Sequence, residues 1–286
     1  MAVGLLCAAL AACTAPPVIA DSVPANRITL STRSVLGRSY LAVRAAGENS
    51  GLPLLVVLHG RGMDVRNAAA RTGFLPFAQR GMADIVFPAG TGQSWNAGNG
   101  CCGLAARDHV DDPAFVAAVV ADAAQAFGTD PRRVYLVGYS NGGRLAFRLA
   151  CESPAPFAAF ATYGAAPPRV CANRAAAGLS ALVAAGTNDG ILGHGAEVVE
   201  HATATWRALD SCPPASSVRH DGAAVVTTWR DCTGGAAVQS LTFAGAGHGW
   251  PAPLAGQMWD FLSARVRSRA AAPAPAPGGA PALAAR

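Results

Sequence analysis

Apolar residues along this chain follow two rhythms: short unbroken runs, and longer stretches in which they return every three or four positions. The apolar runs LLVVL (54–58) and VYLV (134–137) are continuous, which marks strands buried on both faces, and DIVFP (84–88) makes another buried strand. Residues 157–163, 181–185 and 238–243 read as further strands, and 28–30 with 40–43 as a short antiparallel pair ahead of them. Between the strands lie helical stretches at 65–81, 145–150, 197–209 and 255–266. The clearest helix starts at Asp112-Pro113, an N-cap and a first-turn proline. It carries Phe115, Val116, Val119, Val120, Ala123 and Phe127 on one face and stops at Gly128. Strands alternating with helices in this order predict an α/β fold, a mostly parallel sheet covered on both faces. Residues 90–107, rich in Gly and Asn, form a connection longer than the fold needs, and long ordered loops usually carry function.

The chain has 286 residues, 51% apolar and 14% charged, enough for one large core and no second enzyme domain. That core falls in residues 27–269, between a leader and linker at 1–26 and a low-complexity Pro/Ala tail at 270–286 that reads as disordered. All 22 basic residues are arginine, and the formal charge of +5 is spread along the chain. With no basic cluster and no interleaved aromatics, nucleic-acid binding is not expected. The apolar stretch 3–12 is too short to span a membrane and suits the core of an export signal. Leu10-Ala11-Ala12-Cys13 then resembles a bacterial lipobox, which would make Cys13 a lipid-modified first residue and leave the domain outside the cell, held to the membrane by that anchor alone. No Lys or Arg lies between Met1 and the apolar run, as an upstream start would explain, and cleavage near Ala20 is the alternative.

Export turns the other cysteines into a disulfide framework. Proximity and element placement favour Cys151 with Cys171 and Cys212 with Cys232, leaving the adjacent Cys101 and Cys102 to each other. The spacings lack paired C-x-x-C, so a zinc site is not expected.

The candidate chemistry starts at Gly138-Tyr139-Ser140-Asn141-Gly142, a G-x-S-x-G turn between a strand and a helix. Small residues are needed on both sides because a Cβ there would strike the neighbouring strand or helix. Ser140 is the expected nucleophile. Asp189, directly after the strand at 181–185, and His248, after the strand at 238–243, complete the order Ser, Asp, His. Asp210, Asp221 and Asp231 also lie between Ser140 and His248 but follow no clean buried strand. An oxyanion site needs two donors, and the backbone N–H groups of Asn141 and of Arg61, in His59-Gly60-Arg61-Gly62, are placed to supply them. His59 itself reads as a packed histidine bonded to backbone.

LHG at 58–60, SWNAGNGCCG at 94–103, DHVDD at 108–112, GYSNGG at 138–143, GTND at 186–189 and GHGWP at 247–251 together resemble the polyhydroxybutyrate depolymerase-like and feruloyl esterase family of secreted bacterial esterases. The resemblance spans roughly residues 28–266. It implies an α/β-hydrolase fold, no metal or organic cofactor, and cleavage of carboxylic esters on polymers or their fragments by Ser140, Asp189 and His248. Trp95 and Trp250 would flank the cleft and stack on a sugar or phenolic ring. The chain departs from the family pattern after GTND, where Gly190-Ile191-Leu192-Gly193-His194 stands, and it carries no extra polymer-binding module, which favours a soluble or wall-associated ester. A monomer whose partner is the ester substrate is expected. A peptidase of the same fold, and a non-catalytic glycan-binding surface lipoprotein, are the alternatives.

Overall fold

The computed structural model describes residues 28–47, 49–168, 171 and 173–267. The leader with Cys13 and the tail at 270–286 lie outside them. The strands are β1 (Ile28–Val35), β2 (Arg38–Ala45), β3 (Leu54–Leu58), β4 (Asp84–Pro88), β5 (Val134–Tyr139), β6 (Ala159–Tyr163), β7 (Ser180–Gly186), β8 (Ser217–Asp221), β9 (Ala224–Trp229) and β10 (Val238–Phe243). The helices are α1 (Val65–Arg71), α2 (Leu75–Gln79), α3 (Gly103–Arg107), α4 (Asp112–Phe127), α5 (Asn141–Glu152), α6 (Gly195–Leu209) and α7 (Leu254–Ser263). One sheet holds the strands in the order β1-β2-β4-β3-β5-β6-β7-β10-β9-β8. Its middle, β4 through β10, is parallel, and an antiparallel pair closes each edge.

The continuous apolar runs are explained by this placement. In β3, Leu54, Val56 and Leu58 face one core with α4, α5 and α6, while Leu55 and Val57 face the other with α1, α2 and α7. β5 divides the same way, Leu136 to one side and Tyr135 and Val137 to the other. A strand that packs helices on both faces has few positions for a polar residue, and two that occur here, Asp84 and Ser180, stand at strand starts.

Four local expectations change. The helix expected over 65–81 is two helices, because Gly73 at φ +74° turns the chain out of α1 and Pro76 opens α2. The N-cap of α4 is Asp111, whose carboxylate accepts from the Ala114 N–H, and Asp112 is the first helical residue. The connection 90–107 ends in the short helix α3. The hairpin β8–β9 fills a stretch where no strand is expected above: every β8 side chain is exposed and no apolar alternation marks it, whereas β9 carries the β-branched run AVVTTW.

Cys151 is bonded to Cys171, Cys212 to Cys232 and Cys101 to Cys102. The first ties the end of α5 to the segment after β6, and the second ties the loop after α6 to the loop after β9.

Candidate active site

Parallel register brings four strand ends together. Gly138 pairs with Leu58, Tyr139 with Tyr163, Tyr163 with Ala184 and Gly186 with Phe243, so the loops after β3, β5, β7 and β10 open on one side of the sheet. Ser140 sits in the sharpest of these turns, at φ 52° and ψ −118°, a conformation a non-glycine residue adopts only when its surroundings impose it. The surroundings are the flanking glycines. A Cβ at Gly138 would strike the Gly142 carbonyl, one at Gly142 would strike the Leu58 carbonyl, and one at Gly143 would lie 2.6 Å from the Ala165 Cβ.

The Ser140 Oγ is 2.8 Å from His248 Nε2, and His248 Nδ1 is 2.8 Å from Asp189 Oδ2. Asp189 is fully buried, and its other oxygen accepts from the N–H groups of Ile191 (3.0 Å) and Leu192 (3.1 Å). The unusual segment after GTND therefore still closes around the carboxylate, through backbone donors that any side chains would supply. With Nδ1–H held by Asp189, Nε2 is left as the acceptor facing the serine, which suits a general base. Gly164, at φ +63°, leaves room for the ring, since a Cβ there would come within 3.0 Å of His248 Cε1.

Two tyrosines that the sequence reading did not single out hold the histidine loop. Tyr139 donates to the His248 carbonyl (2.9 Å) and Tyr163 to the Gly247 carbonyl (2.8 Å). Burial pushes the Tyr163 phenol up to about 12, so it remains a donor throughout the neutral range. Both end their strands just before a glycine or serine turn, and that position was the available signal.

Neither the Asn141 nor the Arg61 backbone N–H donates to a protein acceptor among the described residues, so both are free for a developing oxyanion. The turn that carries Arg61 is fixed by His59. Its Nδ1 donates to the Gly60 carbonyl (2.9 Å) while Nε2 accepts from the Gly90 N–H (3.0 Å), which defines a neutral tautomer. Burial lowers the His59 pKa and keeps it in that form.

Trp95 departs from expectation. It is fully buried, its indole N–H donates to the His59 carbonyl (2.9 Å), and its backbone is gripped from both sides by the Asn141 side chain at 2.7 and 3.0 Å. It offers no face to a ligand and instead ties the 90–107 loop to the start of α5. The next residue, Asn96, is held by Asp112, which accepts from the Asn96 N–H (2.6 Å) and pairs with Arg38 (2.8 Å). Trp250 remains beside the site. It is half-buried against Phe74, Tyr139 and Tyr163 and lines a cavity of about 570 Å³ that also exposes Ser140, His248, Met63, Arg61 and Arg71.

Residues 104–209 match the model of the Dienelactone hydrolase family, a span that holds Ser140 and Asp189. Two curated proteins are similar in sequence. NocK of Nocardia uniformis subsp. tsuyamanensis, whose esterase function is itself an assignment, is 30% identical over 51% of this chain. The bifunctional acetylxylan esterase/xylanase XynS20E of Neocallimastix patriciarum is 26% identical over 74% of it. The chain spans 42% and 31% of the lengths of these relatives. Among solved structures, the acetyl xylan esterase from Aspergillus awamori is superimposable at a TM-score of 0.64, with 13% identity, over 82% of this chain and 99% of that one. The fold is that of the α/β-hydrolases.

Proposed function

We propose that this protein is a serine carboxylic ester hydrolase, exported from the cell, that acts on ester-linked polymers or their fragments: acyl or feruloyl esters of polysaccharide, or hydroxyalkanoate oligomers. The observation that carries the reading is the unbroken chain Ser140–His248–Asp189, two contacts of 2.8 Å, opening on a cavity. His248 takes the Ser140 proton as Oγ attacks the ester carbonyl, and the N–H groups of Arg61 and Asn141 receive the oxyanion. The alcohol leaves with the proton from His248, and water repeats the sequence on the acyl-enzyme. Asp189 keeps the imidazole oriented and stabilises its cation. The names of the similar proteins, esterases of acetylated xylan among them, favour esters of polysaccharide, and the disulfides favour an oxidising compartment outside the cell.

The test sets short-chain nitrophenyl esters, methyl ferulate, acetylated xylan and hydroxybutyrate oligomers side by side, with an active-site phosphonate as a label for Ser140. Hydrolysis of at least one class is expected, abolished in Ser140→Ala and reduced at least ~100-fold in His248→Ala, which should also lose labelling. A wild-type protein that neither hydrolyses any of these nor takes the label would return the reading to a glycan-binding module on a hydrolase scaffold.

A further inference from the structure

Cys151–Cys171 and Cys212–Cys232 each join residues 20 positions apart, while Cys101–Cys102 joins neighbours. A cross-link between adjacent residues closes no length of chain, so it adds little to stability through the unfolded state and acts on the backbone around it. That backbone is the part of the 90–107 loop that meets the first turn of α5. Both cysteines are half-buried, and neither is among the residues that line the cavity beside Ser140. The pair therefore does not meet a substrate held in that cavity.

What the pair does touch is Asn141. The Cys101 Sγ lies 4.0 Å from the Asn141 Nδ2, and the same amide nitrogen donates to the Trp95 carbonyl (3.0 Å). The Cys102 N–H donates to that carbonyl as well (3.0 Å), and so does the Ala97 N–H (3.1 Å), which also donates to the Cys101 carbonyl (2.7 Å). Residues 95–102 thus fold back on themselves, with the cysteine pair closing the fold-back over the Asn141 side chain, whose Oδ1 accepts from the Trp95 N–H (2.7 Å). The backbone N–H of this same Asn141 is the proposed oxyanion donor. The loop reaches the second donor too. The Gly62 N–H donates to the Gln93 carbonyl (2.8 Å) and the Trp95 indole to the His59 carbonyl (2.9 Å), one on each side of Arg61 in the chain. Donors to an oxyanion act through alignment, and a misplacement of about 1 Å can cost ~100-fold in rate.

We infer that the Cys101–Cys102 disulfide is a positioning element for catalysis: it fixes the fold-back that holds the Asn141 side chain, and through it the Asn141 N–H that receives the oxyanion. The inference rests on the esterase reading above and adds a part of the machinery which that reading does not contain. A dithiol that reduces the bond, becoming a disulfide itself, leaves thiols at both positions and lets the fold-back relax. Ser140, His248 and Asp189 lie outside the loop and stay joined. The reduced protein keeps its nucleophile and loses stabilisation of the transition state.

The test compares 4-nitrophenyl acetate with its thionoester, in which sulfur replaces the carbonyl oxygen. Sulfur accepts hydrogen bonds poorly, so the oxygen-to-sulfur ratio of kcat/KM reads contact with the oxyanion donors. Both substrates meet the same folded enzyme, and the ratio therefore cancels any loss of folded protein. Wild type should favour the oxygen ester by about tenfold or more. In the double variant Cys101→Ser/Cys102→Ser, kcat for the oxygen ester should fall about tenfold with KM near its original value. The ratio should narrow, and Ser140 should still take the phosphonate label. Dithiothreitol titration of wild type, with alkylation and peptide mapping to follow each cysteine, gives the same answer should the variant fail to fold. The ratio should narrow in step with thiols at 101 and 102 rather than at 151, 171, 212 or 232. A ratio unchanged once the bond is open, a change confined to KM, or free thiols at 101 and 102 in fully active untreated protein would overturn the inference and leave the esterase reading standing. Wild type that hydrolyses neither ester and takes no label would overturn both.

Discussion

Ser140 illustrates how the backbone of a single residue is set by what its neighbours lack. The strained turn exists because Gly142 lets α5 approach the Leu58 and His59 carbonyls more closely than any Cβ would allow. Gly142→Ala should therefore cost about 2 kcal/mol or more of stability, as overpacking against rigid backbone does, and lower kcat, both readable from urea titration and steady-state kinetics. Tyr163 acts at one remove, through the Gly247 carbonyl. Tyr163→Phe should lower kcat while leaving KM near its original value, and a change confined to KM would place the tyrosine in substrate binding instead. Asp210 is a different case, a fully buried carboxyl away from the site. One oxygen accepts from the Gly178 N–H (2.7 Å), the other has no partner, and burial pushes the group from 3.8 up to about 6. The native state then holds a proton that the unfolded chain releases above pH ~4, so stability falls as pH rises through the interval up to about 6 and stays lower above it. The stability difference between Asp210→Asn and wild type should shift in favour of the variant by about 2–3 kcal/mol between pH 4 and pH 8, whatever constant offset the amide introduces.

Among the elements, the 90–107 connection does the most to shape the site, and it does so from inside the fold. Trp95 bridges the first turn of α5 and the carbonyl of His59, the two places that supply the proposed oxyanion donors. The loop reaches that position because Asp112, at the start of α4, holds Asn96 and pairs with Arg38, whose guanidinium lies 3.7 Å from the centre of the Phe115 ring. Burial raises the Asp112 carboxyl pKa, which the Asn96 N–H and Arg38 oppose. Asp112→Ala would leave Arg38 largely buried without its anion, at a cost of about 3–5 kcal/mol. Activity should fall further than the loss of folded protein explains, because the loop that aligns both amides is released. Equal losses in folded fraction and activity would show that the loop holds its place without Asp112.

At the scale of the whole molecule, two cores on opposite faces of one sheet are closed at the periphery by disulfides of 20-residue separation. Closing a loop of that length is worth about 3 kcal/mol in the unfolded chain, so replacing Cys151 and Cys171, or Cys212 and Cys232, by alanine should lower stability by roughly that amount for each pair. Calorimetry of the two double variants measures it. The sequence by itself determined the sheet and the order of the proposed triad. Continuous apolar runs this short, bounded by turn residues, mark strands covered on both faces, and a serine between glycines after such a run marks a tight strand-to-helix turn. It also placed Asp189 and His248, because each directly follows a buried strand. What it left undecided depended on contacts between residues far apart in the chain. The exposed strand β8 has no pattern of its own and is a strand only because β9 pairs with it. Trp95 has the composition of a ligand platform and became a buried strut because Asn141, 46 positions later, binds its backbone. Tyr139 and Tyr163 found their carbonyls, and Arg61 and Arg71 their shared cavity, only once parallel register had set the strand ends side by side. Local patterning carries information about burial. Which polar group meets which is settled by the packing of the sheet.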